Sequence, residues 1–448
     1  MAEGRTINLN EVLDHQRFGG LNVRVVALCF IIMLCDGYDL TVIAFAMPRI
    51  AAEWKLEGTA AFGPVFSAAI VGLMIGSPLA GYVADRIGRK WTLISCATAF
   101  GLFVLATAFA TSITQLLVLR FLSGIGLGGV IPLGIVMSGE FAPTRLRATM
   151  MSLATTGVTI GSGLPGLTAA WILPYTGWHG LFVVGGVVPI VIALVLIFAM
   201  PESVKYLALR PERRNELVQT VSKLVPDMGI NPALDTLVLK EVQGKKPSVW
   251  RLFDGYLAYM TPLLWLMFLI AGMTLYFIQT WTPTIFLSSG RPLTEVAFAI
   301  AIFQAAGAVG GALMGWPVDR FGAKPVAVMF VLAIPAVAAL GMPGASSSYL
   351  VTILALTGFI MLAVQLGANS LSALIYPTFI RANGVGFGLG SARVGQILGA
   401  TGGGILVAMG VAVPTLFYLL TIPLAIGAVA SIILSILYAA NARASDAS

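Results

Sequence analysis

From residue 24 to residue 438 the chain alternates between long apolar runs and short clusters of charge, proline and glycine. A helix needs about 20 consecutive apolar residues to cross a bilayer. Twelve runs meet that rule, near 24–47, 62–84, 91–111, 115–139, 147–173 and 179–200, then 256–281, 294–317, 325–342, 348–375, 382–409 and 412–438. They are too long for barrel strands, which are about ten residues of alternating polarity. The pattern predicts an all-α membrane protein. Its organisation is a tail over 1–23, a six-helix bundle over 24–200, a central loop over 201–254, a second six-helix bundle over 255–438, and a tail over 439–448.

Composition sharpens this reading. The chain is 58% hydrophobic and 10% charged, with a mean hydropathy of +0.94. Soluble domains carry about 25% charged residues, so a large soluble enzyme is excluded. Residues 1–23 are polar and lead straight into a run too long for a signal-peptide core, with no small-residue cleavage site, so the first run is expected to be a retained span.

The net charge of +7 acquires meaning from its distribution. With the N-terminus inside, 21 of the 26 lysines and arginines fall on the inside, nine of them between 201 and 254. Only Arg49, Lys55 and Arg291 fall outside, while Arg120 and Arg393 lie within spans. This asymmetry predicts a multi-pass membrane protein with both termini and the central loop on the cytoplasmic side, and it explains the basic balance without nucleic acid. Within the central loop, RPERRNELVQTVSKL (210–224) has helical periodicity. Cys29, Cys35 and Cys96 lack metal or disulfide spacing, and His15 and His179 are far apart. No cofactor, metal or catalytic motif is expected, and the chain is not an enzyme.

The two halves repeat. GYVADRIGRK (81–90) and GWPVDRFGAK (315–324) share G-x-x-x-D-R-x-G-x-K, and APTRLRA (142–148) matches YPTFIRA (376–382). Asp85 to Asp319, Pro143 to Pro377 and Arg147 to Arg381 all have one offset, 234 residues. A duplicated six-helix unit is a known transporter plan, with the substrate site at the repeat interface near mid-membrane.

These motifs resemble those of the major facilitator superfamily, as do RFLSGIGLGG (120–129), GVTIGSGLPG (157–166) and PESVKYL (201–207). Ser162 stands where the family more often has proline, and Ala323 replaces the first copy's Arg89. The resemblance implies two pseudo-symmetric bundles working by alternating access. It also implies a cytoplasmic latch of Asp85, Arg86, Arg89, Glu140 and Arg147, with Asp319, Arg320 and Arg381 in the second half. The many glycines of spans four, five and eleven are expected to be packing surfaces.

Polar anchors deep in the spans are few: Asp36, Asp39, Arg120, Gln304, Asn369 and Arg393, with Gln279, Gln365 and Gln396 as weaker additions. Burying a charge in a bilayer costs upward of about 2.5 kcal/mol and normally marks function. Counting about 1.5 Å per residue from Arg24 and from Arg381 puts Asp36 and Arg393 at one depth. Asp39, one turn on, shares a face with Asp36 and is within reach of Arg120. A guanidinium grips a carboxylate with a planar fork, so Arg393 suits an anionic substrate. The alternative is a structural Asp36–Arg393 salt bridge.

DGYDLTVIAFAMPRIAAEW (36–54) and YPTFIRANGVGFGLGSARVGQILG (376–399) are similar to the aromatic acid:proton symporters of that superfamily. The similarity implies import of hydroxybenzoate- and benzoate-class acids with a coupling proton. Asp36 and Asp39 take the proton-coupling role, Arg120 is their partner and Arg393 binds the carboxylate. Tyr276, Gln279, Trp281, Gln304 and Asn369 are candidate pocket residues. The expected partners are a small aromatic carboxylate, the proton and the bilayer, with no nucleic acid and a monomeric carrier. The alternatives are a proton-coupled sugar, polyol or other organic-acid porter and, more distantly, a membrane receptor.

Overall fold

A computed structural model describes residues 6–8, 19–56, 61–225, 236–238, 249–344, 346–377 and 380–446. His15 and part of the expected central loop lie outside the described residues. Among the described residues, six long helices precede the central segment. They are α1 (Gly20–Glu53), α2 (Phe62–Ile87), α3 (Arg89–Thr107), α4 (Ile113–Glu140), α5 (147–176) and α6 (178–199). The last two run on through Gly177, whose φ of 64° and ψ of −162° are not helical. Six more follow: α7 (Leu257–Ser288), α8 (Leu293–Phe321), α9 (Lys324–Leu340), α10 (Ser347–Ile375), α11 (Arg381–Ala408) and α12 (Val413–Asp446).

Several helices outrun the apolar stretches that predicted them, since intrahelical hydrogen bonding continues into the polar ends. Large apolar side chains such as Val191, Leu194, Val195 and Phe198 point outward from α6. In water such a surface would drive aggregation; on a bundle of apolar helices it is the lipid-facing surface of a multi-pass membrane protein.

The helix pairing carries the duplication seen in the sequence. In the first half α1 packs on α5, α2 on α4 and α3 on α6; in the second, α7 packs on α11, α8 on α10 and α9 on α12. Between the halves α2 meets α11 and α5 meets α8, contacts that exchange under the 234-residue repeat, while α1 meets α7 near the axis. Polar loops extend the bundle at one end, called the basic end below. There the helix Arg214–Leu224 buries Leu217, Val218, Val221 and Leu224, so the 210–224 periodicity forms a packed helix. A three-residue parallel strand pair, β1 (Thr6–Asn8) with β2 (Thr236–Val238), joins the N-terminal and central segments.

Candidate functional site

The acidic pair lies within α1, which stays helical through Asp36-Gly37-Tyr38-Asp39. Gly37 makes this possible, because a side chain there would run into the Val158 carbonyl of α5. The close approach of α5 turns both acids away from lipid. Asp36 is fully buried, and neither carboxylate oxygen has a hydrogen-bond partner among the described residues. Asp39 is buried against Arg120 of α4. The guanidinium donates from Nη1 to Asp39 Oδ1 at 2.5 Å and from Nη2 to the Asp39 backbone carbonyl at 3.1 Å. Tyr38 points elsewhere, with its hydroxyl 3.1 Å from Thr168 Oγ1.

Arg393 of α11 is half-buried and donates from Nη1 to Gln396 Oε1 at 2.9 Å. It lies within electrostatic range of Asp36 and Tyr276 without a direct ion pair to Asp36. Tyr276 of α7 is in range of Arg120, Asp39 and Arg393, and its hydroxyl donates to the Phe66 carbonyl at 3.3 Å. Four helices, two from each half, thus gather two acids, two guanidiniums and a phenol around one centre.

The other expected pocket residues occupy distinct places. Gln279 donates to Gln304 Oε1 at 3.2 Å, and Gln304 donates to Ser162 Oγ of α5. Thr41 in turn donates to the Ser162 carbonyl at 2.9 Å. The result is a polar chain crossing between the halves. Asn369 is half-buried, and neither its Oδ1 nor Oε1 of Gln365 one turn earlier has a hydrogen-bond partner among the described residues. Trp281 is fully buried, and its indole N–H is taken by the Ala400 carbonyl at 3.0 Å.

Trp281 belongs instead to a seal at the end opposite the basic loops. It stacks on Phe62 with ring centroids 6.2 Å apart and meets Phe66 edge-on at 5.2 Å. Ser67 Oγ lies 2.8 Å from Thr401 Oγ1. A Cβ on Gly63 would come within 2.9 Å of the Thr401 Cα. At the basic end the contacts of the latch residues stay within their own halves. Arg89 pairs with Glu140, and Ser203 Oγ donates to Glu140 Oε2 at 2.5 Å. Glu202 Oε1 accepts the backbone N–H groups of Arg89 and Lys90. Arg147 donates to the Gly139 carbonyl at 3.0 Å and Arg381 to the Tyr376 carbonyl at 3.3 Å. Asp85, Arg86, Asp319 and Arg320 are exposed, with Arg86 over the Tyr82 ring and Arg320 beside Trp316. Among the described residues, aromatic and hydroxyl contacts join the halves at the end opposite the basic loops.

Residues 29–361 match the profile of the Major Facilitator Superfamily. The chain belongs to that superfamily. The 4-hydroxybenzoate transporter PcaK of Pseudomonas putida is 33% identical, covering 98% of both chains. The gallate transporter of the same organism is 35% identical over 93% of this chain and 92% of its own. In fold, the facilitator is similar to an inward-facing bacterial homologue of the human lysosomal transporter Spinster. The TM-score is 0.70, with 19% identity and coverage of 94% of this chain and 97% of that one. The partially occluded, inward-open xylose transporter XylE of Escherichia coli gives a TM-score of 0.69 at 16% identity, covering 92% of this chain and 97% of that one.

For a facilitator, the chemical content of the centre is one satisfied and one unsatisfied charge system. Sequence reasoning missed the seal residues Phe62 and Phe66 and the Phe66 backbone carbonyl that accepts from Tyr276. Aromatic residues at span ends are ordinarily interface anchors, so nothing in their local pattern sets them apart. Ser162 did carry a signal, as the departure from proline in span five.

Proposed function

We propose that the chain is a proton-coupled symporter that imports aromatic carboxylic acids of the hydroxybenzoate and benzoate class across the bacterial inner membrane. The basic end is then cytoplasmic, and the bundles 24–200 and 255–438 rock as units joined by 201–254, one carrier per monomer.

The observation that carries this reading is the unpartnered Asp36 carboxyl in range of Arg393. Asp39 and Arg120 neutralise each other by direct contact. If Asp36 is ionised, its charge balances Arg393 and the centre is neutral. If Asp36 takes a proton, Arg393 is left uncompensated in a desolvated place, which is costly until an anion arrives. A carboxylate accepting from the guanidinium fork restores neutrality. Proton and monoanion therefore stabilise each other's binding, and either alone leaves a net charge inside the membrane. Tyr276 offers a ring face to an aromatic acid, and the Gln279–Gln304 chain offers amides to ring hydroxyls. The relatives named as 4-hydroxybenzoate and gallate transporters support this substrate class.

The test is uptake into proteoliposomes with an alkaline interior, offered labelled 4-hydroxybenzoate or xylose. Accumulation of 4-hydroxybenzoate that collapses with a protonophore is expected. One proton with one monoanion is electroneutral, so an imposed potential, worth about 2.3 kcal/mol per charge per 100 mV, leaves accumulation unchanged. Xylose uptake without 4-hydroxybenzoate uptake overturns the assignment in favour of a sugar porter.

A further inference from the structure

Beyond the Phe62–Trp281 seal, at the end opposite the basic loops, both halves line an open cavity of about 540 Å³. Ligand pockets run from about 300 to 1,000 Å³, so a single aromatic ring fits with room to spare. Phe45 of α1, Leu173 of α5 and Leu287 of α7 form its apolar walls, with Phe62, the ring that stacks on Trp281, between them. Two cations also line it. Arg291 is paired with Glu295 at 2.5 Å. Arg49 is exposed and takes part in none of the ion pairs among the described residues. The acid one turn along its helix, Glu53, accepts the indole N–H of Trp178 at 2.8 Å.

We propose that this cavity is a second binding site for an aromatic carboxylate, with Arg49 holding the carboxylate and Phe45 and Phe62 flanking the ring. The substrate class rests on the transport reading above. An apolar cleft with one uncompensated guanidinium is complementary to a flat apolar anion, which brings one charge and one ring. Arg49 is thirteen residues beyond Asp36 on α1, roughly 20 Å along the axis, with the aromatic seal between them. The two sites can therefore be filled at once. A fixed charge in a concave cleft concentrates counter-ions and speeds their capture, an effect that fades with ionic strength. The outer site loads substrate while the central site is open to the other end.

Equilibrium dialysis of the purified full-length chain against labelled 4-hydroxybenzoate at low salt tests this. The wild type is expected to bind two ligands per chain. Arg49→Gln is expected to bind one, which also reports that this variant is folded, and Arg49→Lys to keep the second with reduced affinity. Arg393→Gln is expected to retain one ligand whose affinity falls about tenfold between low and high salt. One ligand per wild-type chain, with an unchanged isotherm for Arg49→Gln, overturns the outer site and leaves the central site standing. No ligand bound by the wild type overturns both.

Discussion

Arg120 holds Asp39 by two different groups at once, its carboxylate at 2.5 Å and its backbone carbonyl at 3.1 Å. The grip therefore fixes the helix as well as the charge: α4 clamps the middle of α1 at the residue after Tyr38. Asp36, one turn away on the same helix, has no such clamp. Two acids three positions apart thus stand in different surroundings.

The buried Asp39–Arg120 pair should behave as a unit. Removing one partner of a buried ion pair costs about 3–5 kcal/mol, because the other charge is stranded. Asp39→Asn and Arg120→Gln are each expected to lower the unfolding temperature in detergent and to abolish accumulation. The double variant should be less destabilised than the sum of the two. Strict additivity in that double-mutant cycle would show that the pair is not coupled.

Asp36→Asn removes the titrating group while keeping its shape. We expect it to equilibrate labelled substrate in counterflow but to lose accumulation driven by a pH gradient. Wild-type affinity for the anion should fall as pH rises and Asp36 gives up its proton, whereas the variant's affinity should be flat. A pH-dependent binding curve in Asp36→Asn would assign the proton to another group.

Arg393→Lys keeps a cation and loses the planar fork. Charge-assisted hydrogen bonds contribute about 1.5–3 kcal/mol, so an affinity loss of about tenfold or more is expected by dialysis. Gln396→Leu, which only releases the Nη1 contact at 2.9 Å, should weaken binding less. Equal effects from the two would mean that the fork contributes nothing to substrate beyond its contact with Gln396.

Gly63 sets the closure of the sealed end. A valine there would push into the Thr401 backbone, 2.9 Å from the position of its own Cβ, and wedge α2 from α11. A cysteine at Ser67, a buried position, reports the result. It should resist a membrane-impermeant thiol reagent in the otherwise native chain and react in the Gly63→Val background. Protection in both would show that Gly63 does not set the closure.

Much of the architecture was legible from one dimension. Helix positions follow from apolar runs, and the 234-residue offset foretold paired contacts that exchange between halves. Counting residues from Arg24 and Arg381 put Asp36 and Arg393 at one depth by the constant rise of a helix, and the fold leaves them within electrostatic range. The seal was not legible. Phe62, Phe66 and Trp281 meet across more than 200 residues of chain, and nothing local distinguishes an aromatic that closes a gate from one that faces lipid.

The amino-acid sequence by itself determined that the chain is a duplicated bundle of membrane helices and that a few charges sit deep within it. Run length, periodicity and the expense of buried charge are properties of single segments, and they can be read one segment at a time. The sequence put Asp39 within reach of Arg120, but only the tertiary structure decided that these two meet directly while Asp36 and Arg393 do not. That choice depends on helix rotation and on the close approach of α5 at Gly37. Pairing is a matter of angstroms between segments, set by packing, and so Arg120 took Asp39 while Asp36 and Arg393 were left within range of one another, each without the other's contact.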